Sequence, residues 1–154
     1  MLLRGLIVKQ PFAAKIVRGE MPVIFLPVRA KGKFVKDLIK KSKKIVILSA
    51  LRAKESVNED NYPLGKAVGT VKVRDVITMT KEKVLSGEVA GIEREYVQTY
   101  PWESSKLDGV ISIWFLENPE EWSPPISYRR MPGAQRWIKN VRLRRIELTL
   151  SKVE

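Results

Sequence analysis

The residues of this sequence with the clearest chemical potential are basic and amide side chains suited to phosphate and nucleobases. Arg129, Arg130 and Arg136 form a cluster with no acidic residue near them in the sequence. The planar guanidinium group favours bidentate contact with phosphate. The amide of Gln10 offers a donor and an acceptor that could read a base edge. These residue types indicate nucleic acid binding.

The candidate nucleic-acid-binding residues extend this cluster to the chain's first helix and to one aromatic ring. Tyr128 could stack on an exposed base, a contact worth roughly 1–3 kcal/mol. Trp137 could do the same, but core packing is the favoured interpretation of that residue. Gln10 could equally cap the neighbouring helix. The predicted set is Lys9, Gln10, Lys15, Arg18, Arg52, Tyr128, Arg129, Arg130, Gln135 and Arg136.

The elements that must position these residues begin with a strand, a short helix and a second strand. Leu6–Val8 is a short apolar run of strand type, and Pro11 suits the first turn of a helix. Gly19 offers the left-handed residue that commonly closes a helix. The apolar run Pro22–Val28 then predicts a strand with prolines at both ends. The polar residues at the two turns are expected to flank a cleft.

The rest of the sequence predicts mostly short strands. An amphipathic helix is expected over Phe34–Lys43, and Ile45–Leu48 predicts a central strand. Alternation over Gly65–Asp75 predicts a half-buried strand in which Gly65 and Gly69 are turn and bulge residues. Further strands are expected at Val110–Leu116 and Ile146–Leu150, with short helices after Thr80 and within Ile92–Trp102. The predicted fold class is α+β, mainly β: a small five- or six-stranded barrel with short flanking helices, forming a single domain over residues 1–154.

Composition narrows the chemistry available to the chain. The 154 residues include no Cys and no His, which excludes disulfides, thiolate chemistry and imidazole general bases. No cofactor or metal is predicted, and no apolar run approaches the length of a membrane span. We therefore expect a cytoplasmic protein without a membrane partner. The absence of Cys also fits a thermophilic source.

The positive charge is concentrated in two parts of the chain. The formal net charge is +12; Lys31–Lys44 carries +6 and Arg129–Arg145 carries +7, whereas Glu82–Glu121 carries −6. Such asymmetry predicts a positive surface on which a polyanion docks. Two alternatives remain open: the lysines solvate the surface, or the acidic stretch pairs with the arginines in an internal salt-bridge network.

Three motifs follow one another over nearly the whole chain. The first is Lys9-Gln10-Pro11-Phe12-Ala13 followed by Arg18-Gly19-Glu20. The second runs from Gly69-Thr70-Val71 to Asp75-Val76. The third comprises Trp114 to Pro119, then Pro125-Ile126, then Gly133 to Trp137. In this order and spacing, the three motifs resemble the ASCH domain family of the PUA-like superfamily.

The resemblance implies a PUA-like pseudobarrel whose cleft, between the first helix and the barrel, binds RNA, modified bases or other nucleic acid. We expect RNA rather than DNA as the partner of this chain. Some small members resemble amidohydrolases that use a Lys and a Thr after the helix, but here those positions are Met21 and Ile24, which can be neither base nor nucleophile. The predicted function is therefore RNA binding at a basic cleft. One alternative is a hydrolase, either a nuclease or an amidohydrolase-like enzyme, acting on RNA or a modified nucleoside. Another is a protein-binding adaptor that uses the acidic face. The oligomeric state is left open.

Overall fold

The computed structural model describes residues 4–26, 32–41, 43–51, 53, 56–80, 82–83, 110–128, 137–138, 141 and 143. Most of these residues lie in strands. The described elements are β1 (Gly5–Val8), α1 (Phe12–Val17), β2 (Val23–Leu26), α2 (Gly32–Lys40), β3 (Lys44–Ser49), β4 (Lys66–Thr80), β5 (Val110–Ser127) and β6 (Trp137–Ile138). The chain divides into two compact units. Unit 1 comprises residues 1–21, 44–72 and 118–154, and unit 2 comprises residues 22–43 and 73–117.

Unit 1 carries α1 and a mixed sheet. Within it, β3 lies between β1, to which it is parallel, and β4, to which it is antiparallel, while β6 pairs antiparallel with β1. The residues of β3 from Ile45 to Leu48 are fully buried, as a central strand requires. Val46 and Leu48 pack with Ala67 and Tyr128, and the partly buried Ile7, Trp122, Val141 and Leu143 complete this core.

Helix α1 is short because its sequence supplies both a start and a stop. After Pro11, Phe12 to Val17 form the helix and bury Ala13, Ala14, Ile16 and Val17. At the other end, the Glu20 N–H donates to Lys15 O and the Gly19 N–H donates to Ile16 O. This is the Schellman arrangement, which needs a left-handed residue, and Gly19 has φ +80°. Arg18 is thereby placed at the end of the helix.

Gly69 marks a bulge where two backbones approach closely. The register between β3 and β4 shifts between Ile47, which faces Gly69, and Leu48, which faces Ala67. A Cβ atom on Gly69 would overlap the carbonyl oxygen of Glu120. Only glycine leaves room for β5 to pass at this point.

Unit 2 is built on the antiparallel pairing of β2 with the first part of β5, from Val23 facing Phe115 to Leu26 facing Ser112. Val23, Phe25, Ile111 and Ile113 form its core, against which Ile77, Met79 and Phe115 pack. The buried indole of Trp114 donates its Nε1–H to Ser112 Oγ at 2.9 Å. The Ser112 hydroxyl donates in turn to Leu26 O at 3.4 Å, so both buried polar side chains have partners inside the unit.

The prediction of an α+β, mainly β fold with six strands and short helices is confirmed among the described residues. Strands β1 to β3 lie where the sequence predicted them, and the bulge at Gly69 is confirmed. Helix α2 begins and ends earlier than the predicted Phe34–Lys43, and β4 continues beyond the predicted end at Asp75 to Thr80. Strand β5 runs to Ser127, beyond the predicted end at Leu116; its prolines at 119, 124 and 125 fall outside the segment that pairs with β2, so they interrupt none of those hydrogen bonds. The helix predicted within Ile92–Trp102 and the strand predicted at Ile146–Leu150 lie outside the described residues. The single domain stays a prediction.

Candidate nucleic-acid interface

A cleft of about 390 Å³ opens in unit 1 beside helix α1. Its volume lies within the range of small-molecule sites, roughly 300–1,000 Å³. Four segments form its walls: α1 with the residue after it, the loop at residues 59–63, the start of β4, and the second half of β5. The residues that line it are Ala14, Arg18, Glu59, Asp60, Asn61, Pro63, Val68, Glu121, Trp122, Ser123 and Pro125.

Arg18 connects these walls. Its Nε donates to Glu121 Oε2 at 2.8 Å on β5, and a terminal guanidinium nitrogen donates to the carbonyl oxygen of Asn61 at 2.6 Å. The guanidinium carbon also lies 5.2 Å from the centre of the Tyr62 ring, within range for a cation–π contact. Its side chain keeps 29% of its surface exposed. Arg18 is therefore held in place on the cleft wall, with part of its surface still accessible.

The lining is rich in carboxylates. Glu59, Asp60 and Glu121 line the cleft together with one guanidinium, that of Arg18. Over the described lining residues the formal charge is thus negative, so the basic character predicted for this cleft does not come from them. Carboxylate oxygens accept hydrogen bonds, and the exocyclic amino group of cytosine is a donor that Asp and Glu recognise. The described lining suits an amino-bearing base better than a phosphate.

The side chain of Gln10 is buried and has a structural role. It is fully buried; its Oε1 accepts from the Ala14 N–H at 2.9 Å and its Nε2 donates to Pro63 O at 2.9 Å. The first bond satisfies an N–H of the first helical turn, as the capping alternative predicted. The second ties α1 to the loop that lines the cleft. The proposal that Gln10 reads a base edge is corrected, because both ends of the amide are already occupied.

Tyr128 is also a core residue. Only 6% of it is exposed, and it packs with Val46, Leu48 and Ala67. Its hydroxyl donates to Ser49 O at 3.1 Å. A ring buried in this way offers no open face to a base, so the suggested stacking role of Tyr128 is corrected. The alternation of β5 explains the burial, because Ile126 and Tyr128 face the same side of the strand.

The remaining predicted residues divide into two groups. Lys9 is exposed just before α1, and Lys15 is half-buried on α1 itself. Neither makes an ion pair with any residue that the structure describes. The others, namely Arg52, Arg129, Arg130, Gln135 and Arg136, lie outside the described residues.

Two arrangements lie outside the predicted set of site residues. On α2, Lys33, Lys36 and Lys40 are exposed along one face, within the basic segment Lys31–Lys44 identified from the sequence. In unit 1, Lys66 Nζ donates to Ser127 Oγ. No sequence signal could have joined these two residues, because 61 positions separate them and only the fold brings them together.

The family resemblance places a catalytic Lys and Thr at two positions that are Met21 and Ile24 in this chain. These two residues supply no catalytic group for the hydrolase alternative. Met21 and Ile24 are each 4% exposed and belong to the cores. Across the described ranges, no group of three or more His, Cys, Asp or Glu residues is placed to hold a metal ion. Among the same residues, no helix has the length and hydropathy needed to cross a membrane.

Comparison with known proteins gives similarity at the level of solved structures. No family model and no curated protein matches the sequence. The ASCH protein of Zymomonas mobilis is similar with a TM-score of 0.48 and 15% identity, over 97% of this chain and 92% of that one. A serine-to-alanine variant of that protein gives 0.46 and 16%, over 97% and 93%, and a tyrosine-to-phenylalanine variant gives 0.47 and 14%, over 99% and 97%. These solved structures, similar to nearly the whole of this chain at low sequence identity, are ASCH domain structures.

Proposed function

We propose that this protein binds nucleic acid, with RNA preferred over DNA, and that it holds an unpaired segment at the cleft beside α1. The observation that carries the proposal is the unneutralised positive charge. The chain has 29 Lys and Arg against 17 Asp and Glu, so at least twelve cations have no internal partner in any one-to-one pairing. Among the described residues the ion pairs are Arg18–Glu121 and Lys44–Glu120. A surplus of this kind favours a polyanionic partner.

The cleft and the cations have different parts in this proposal. Phosphates stay outside the acidic lining and contact Lys9 and Lys15 on the α1 side, together with the arginines at 129, 130 and 136. An unpaired base enters the cleft, where Glu59 and Asp60 accept hydrogen bonds from its amino group. Trp122, which lines the cleft and is half-buried, offers an aromatic surface beside that base. This division favours single-stranded RNA, whose bases are free to turn outward.

The test is a fluorescence-anisotropy titration with labelled single-stranded RNA, duplex RNA and duplex DNA at about 50 and about 200 mM salt, the range over which phosphate contacts weaken strongly. We expect the tightest binding for single-stranded RNA, with affinity that falls as salt rises. Absence of binding to all three at the lower salt would contradict the proposal. The bound RNA is then run on a denaturing gel. Intact RNA supports a binding module, whereas cleavage would favour the hydrolase alternative.

A further inference from the structure

The exposed face of α2 in unit 2 carries a row of lysines. Lys33, Lys36 and Lys40 are all exposed and recur at i, i+3 and i+7, so they lie on one face of the helix. Val35 and Leu38, on the opposite side, are 8% and 2% exposed. The row is therefore directed away from the core of unit 2.

This row is not neutralised by the helix that carries it. Asp37 is the one acidic residue in α2, and it lies within helical reach of Lys33 and Lys40. It nevertheless forms no ion pair with any residue in the described part of the chain. Lys41 and Lys43, just beyond the helix, are exposed as well. The segment Lys33–Lys43 thus carries five cations and one carboxylate within the length of about three helical turns.

The dimensions of the row fit a nucleic acid backbone. At about 1.5 Å of rise per residue, Lys33 and Lys40 are separated by roughly 10 Å along the axis. Phosphates follow one another at about 3.4 Å per strand along a duplex axis and lie farther apart in an extended single strand, so the row spans at most about three of them. A membrane surface fits less well, since a helix that lies on lipid inserts its apolar face. In α2 that face is already buried.

We propose that the lysine face of α2, defined by Lys33, Lys36 and Lys40, contacts the phosphate backbone of the bound RNA without reading its sequence. This proposal rests on the proposed function and adds a surface in unit 2 that the predicted residue set does not include. It assigns to α2 a positioning and affinity role. Base selectivity is left to the cleft in unit 1.

The experiment measures the affinity of the full chain for a labelled single-stranded RNA as a function of salt. In the triple variant K33Q/K36Q/K40Q, the slope of log K against log salt should become shallower by about 2, because each phosphate contact on a single strand contributes about 0.7. The wild type should then lose roughly 20-fold more affinity than this variant between about 50 and 200 mM salt. The triple arginine variant keeps the charge and should keep the slope.

Single substitutions provide a matched control. K36Q should reduce the slope by about 0.7, whereas K72Q, which removes the same charge from a half-buried position on β4, should leave it unchanged. D37N should tighten binding by about two- to fivefold, since it removes the one carboxylate that α2 carries. A gain of affinity cannot result from misfolding. The urea midpoints of all variants are compared with that of the wild type.

Each outcome separates this proposal from the function on which it rests. Wild-type binding with equal slopes for the triple glutamine variant and K72Q would overturn the role of α2 and leave RNA binding intact. Failure of the wild type to bind any nucleic acid would overturn both. Vesicles containing an anionic phospholipid form a further arm. Lysine-dependent binding to these vesicles, without binding to RNA, would overturn the assignment to RNA.

Discussion

The guanidinium of Arg18 and the carboxylate of Glu121 form an ion pair at 2.8 Å across the cleft of unit 1. The two residues are 103 positions apart in the sequence. Their side chains retain 29% and 42% of their surface, so the pair remains partly hydrated. Its contribution to stability is small, and its larger effect is on what Arg18 is free to bind.

Removing the carboxylate partner should increase RNA affinity. In E121Q the guanidinium of Arg18 loses its ionic partner and the lining loses one negative charge, so the cleft repels the phosphates beside it less strongly. We expect affinity to rise by a few fold while the free energy of unfolding changes by no more than about 1 kcal/mol, as for exposed pairs in general. Anisotropy titration and urea denaturation measure the two quantities. Weaker RNA binding by E121Q would show that Glu121, rather than Arg18, serves the ligand.

Gln10 should matter for stability. In Q10A the buried Ala14 N–H and the part-buried Pro63 O lose their side-chain partner, and an unsatisfied buried group costs about 1–3 kcal/mol. We expect the free energy of unfolding to fall by about 2 kcal/mol in urea denaturation, since one buried and one part-buried group are left. K9A, next to it but exposed, is the control and should change it by less than about 0.5 kcal/mol. Equal effects of the two substitutions would contradict the structural role of Gln10.

Gly69 should tolerate substitution less well than Gly19. In G69A the new methyl group would overlap Glu120 O and lie 2.9 Å from Val17 Cγ1, so the backbone of β5 must move. We expect a loss of more than about 3 kcal/mol, because overpacking alone typically costs about 1–3 kcal/mol. The same change in G19A meets only the Pro119 ring, at 3.3 Å, and its positive φ costs roughly 1–2 kcal/mol. Comparable urea midpoints for the two variants would contradict the close approach of β5 at Gly69.

The carboxylates of the cleft should confer base selectivity. Glu59 and Asp60 can accept from the amino group of cytosine, whereas uracil carries no such group, so the wild type should bind an oligocytidine more tightly than an oligouridine. Discrimination of about 1–3 kcal/mol per base corresponds to roughly 5- to 150-fold. E59Q/D60N should reduce this ratio without changing the salt slope. Equal affinity of the wild type for both oligomers would argue against base recognition by these carboxylates.

Local elements were accessible to sequence reasoning because neighbouring residues define them. Pro11 and Gly19 bracket α1, and the alternation of Val71 and Val73 with Lys72 and Arg74 predicts the inward and outward faces of β4. Both patterns depend on backbone geometry and on periodicity. The prediction that Gln10 caps α1 is also local, because Gln10 Oε1 accepts a hydrogen bond from the N–H of Ala14, four residues later. For these residues local chemistry and tertiary structure agree.

The sequence did not determine which residues of the candidate site face solvent. The sequence around Tyr128 does not show whether its ring is exposed or buried. Only the tertiary structure places the ring against Val46 and Leu48. Glu59 and Asp60 lie in the loop before β4, and Glu121 lies on β5. They line the same cleft as Arg18 because the fold brings together segments that are far apart in the sequence. Charge counted along the sequence predicted a basic molecule and located its basic segments. The local charge of the cleft wall was decided by tertiary structure, because folding placed Glu59, Asp60 and Glu121 in the same lining as the guanidinium of Arg18.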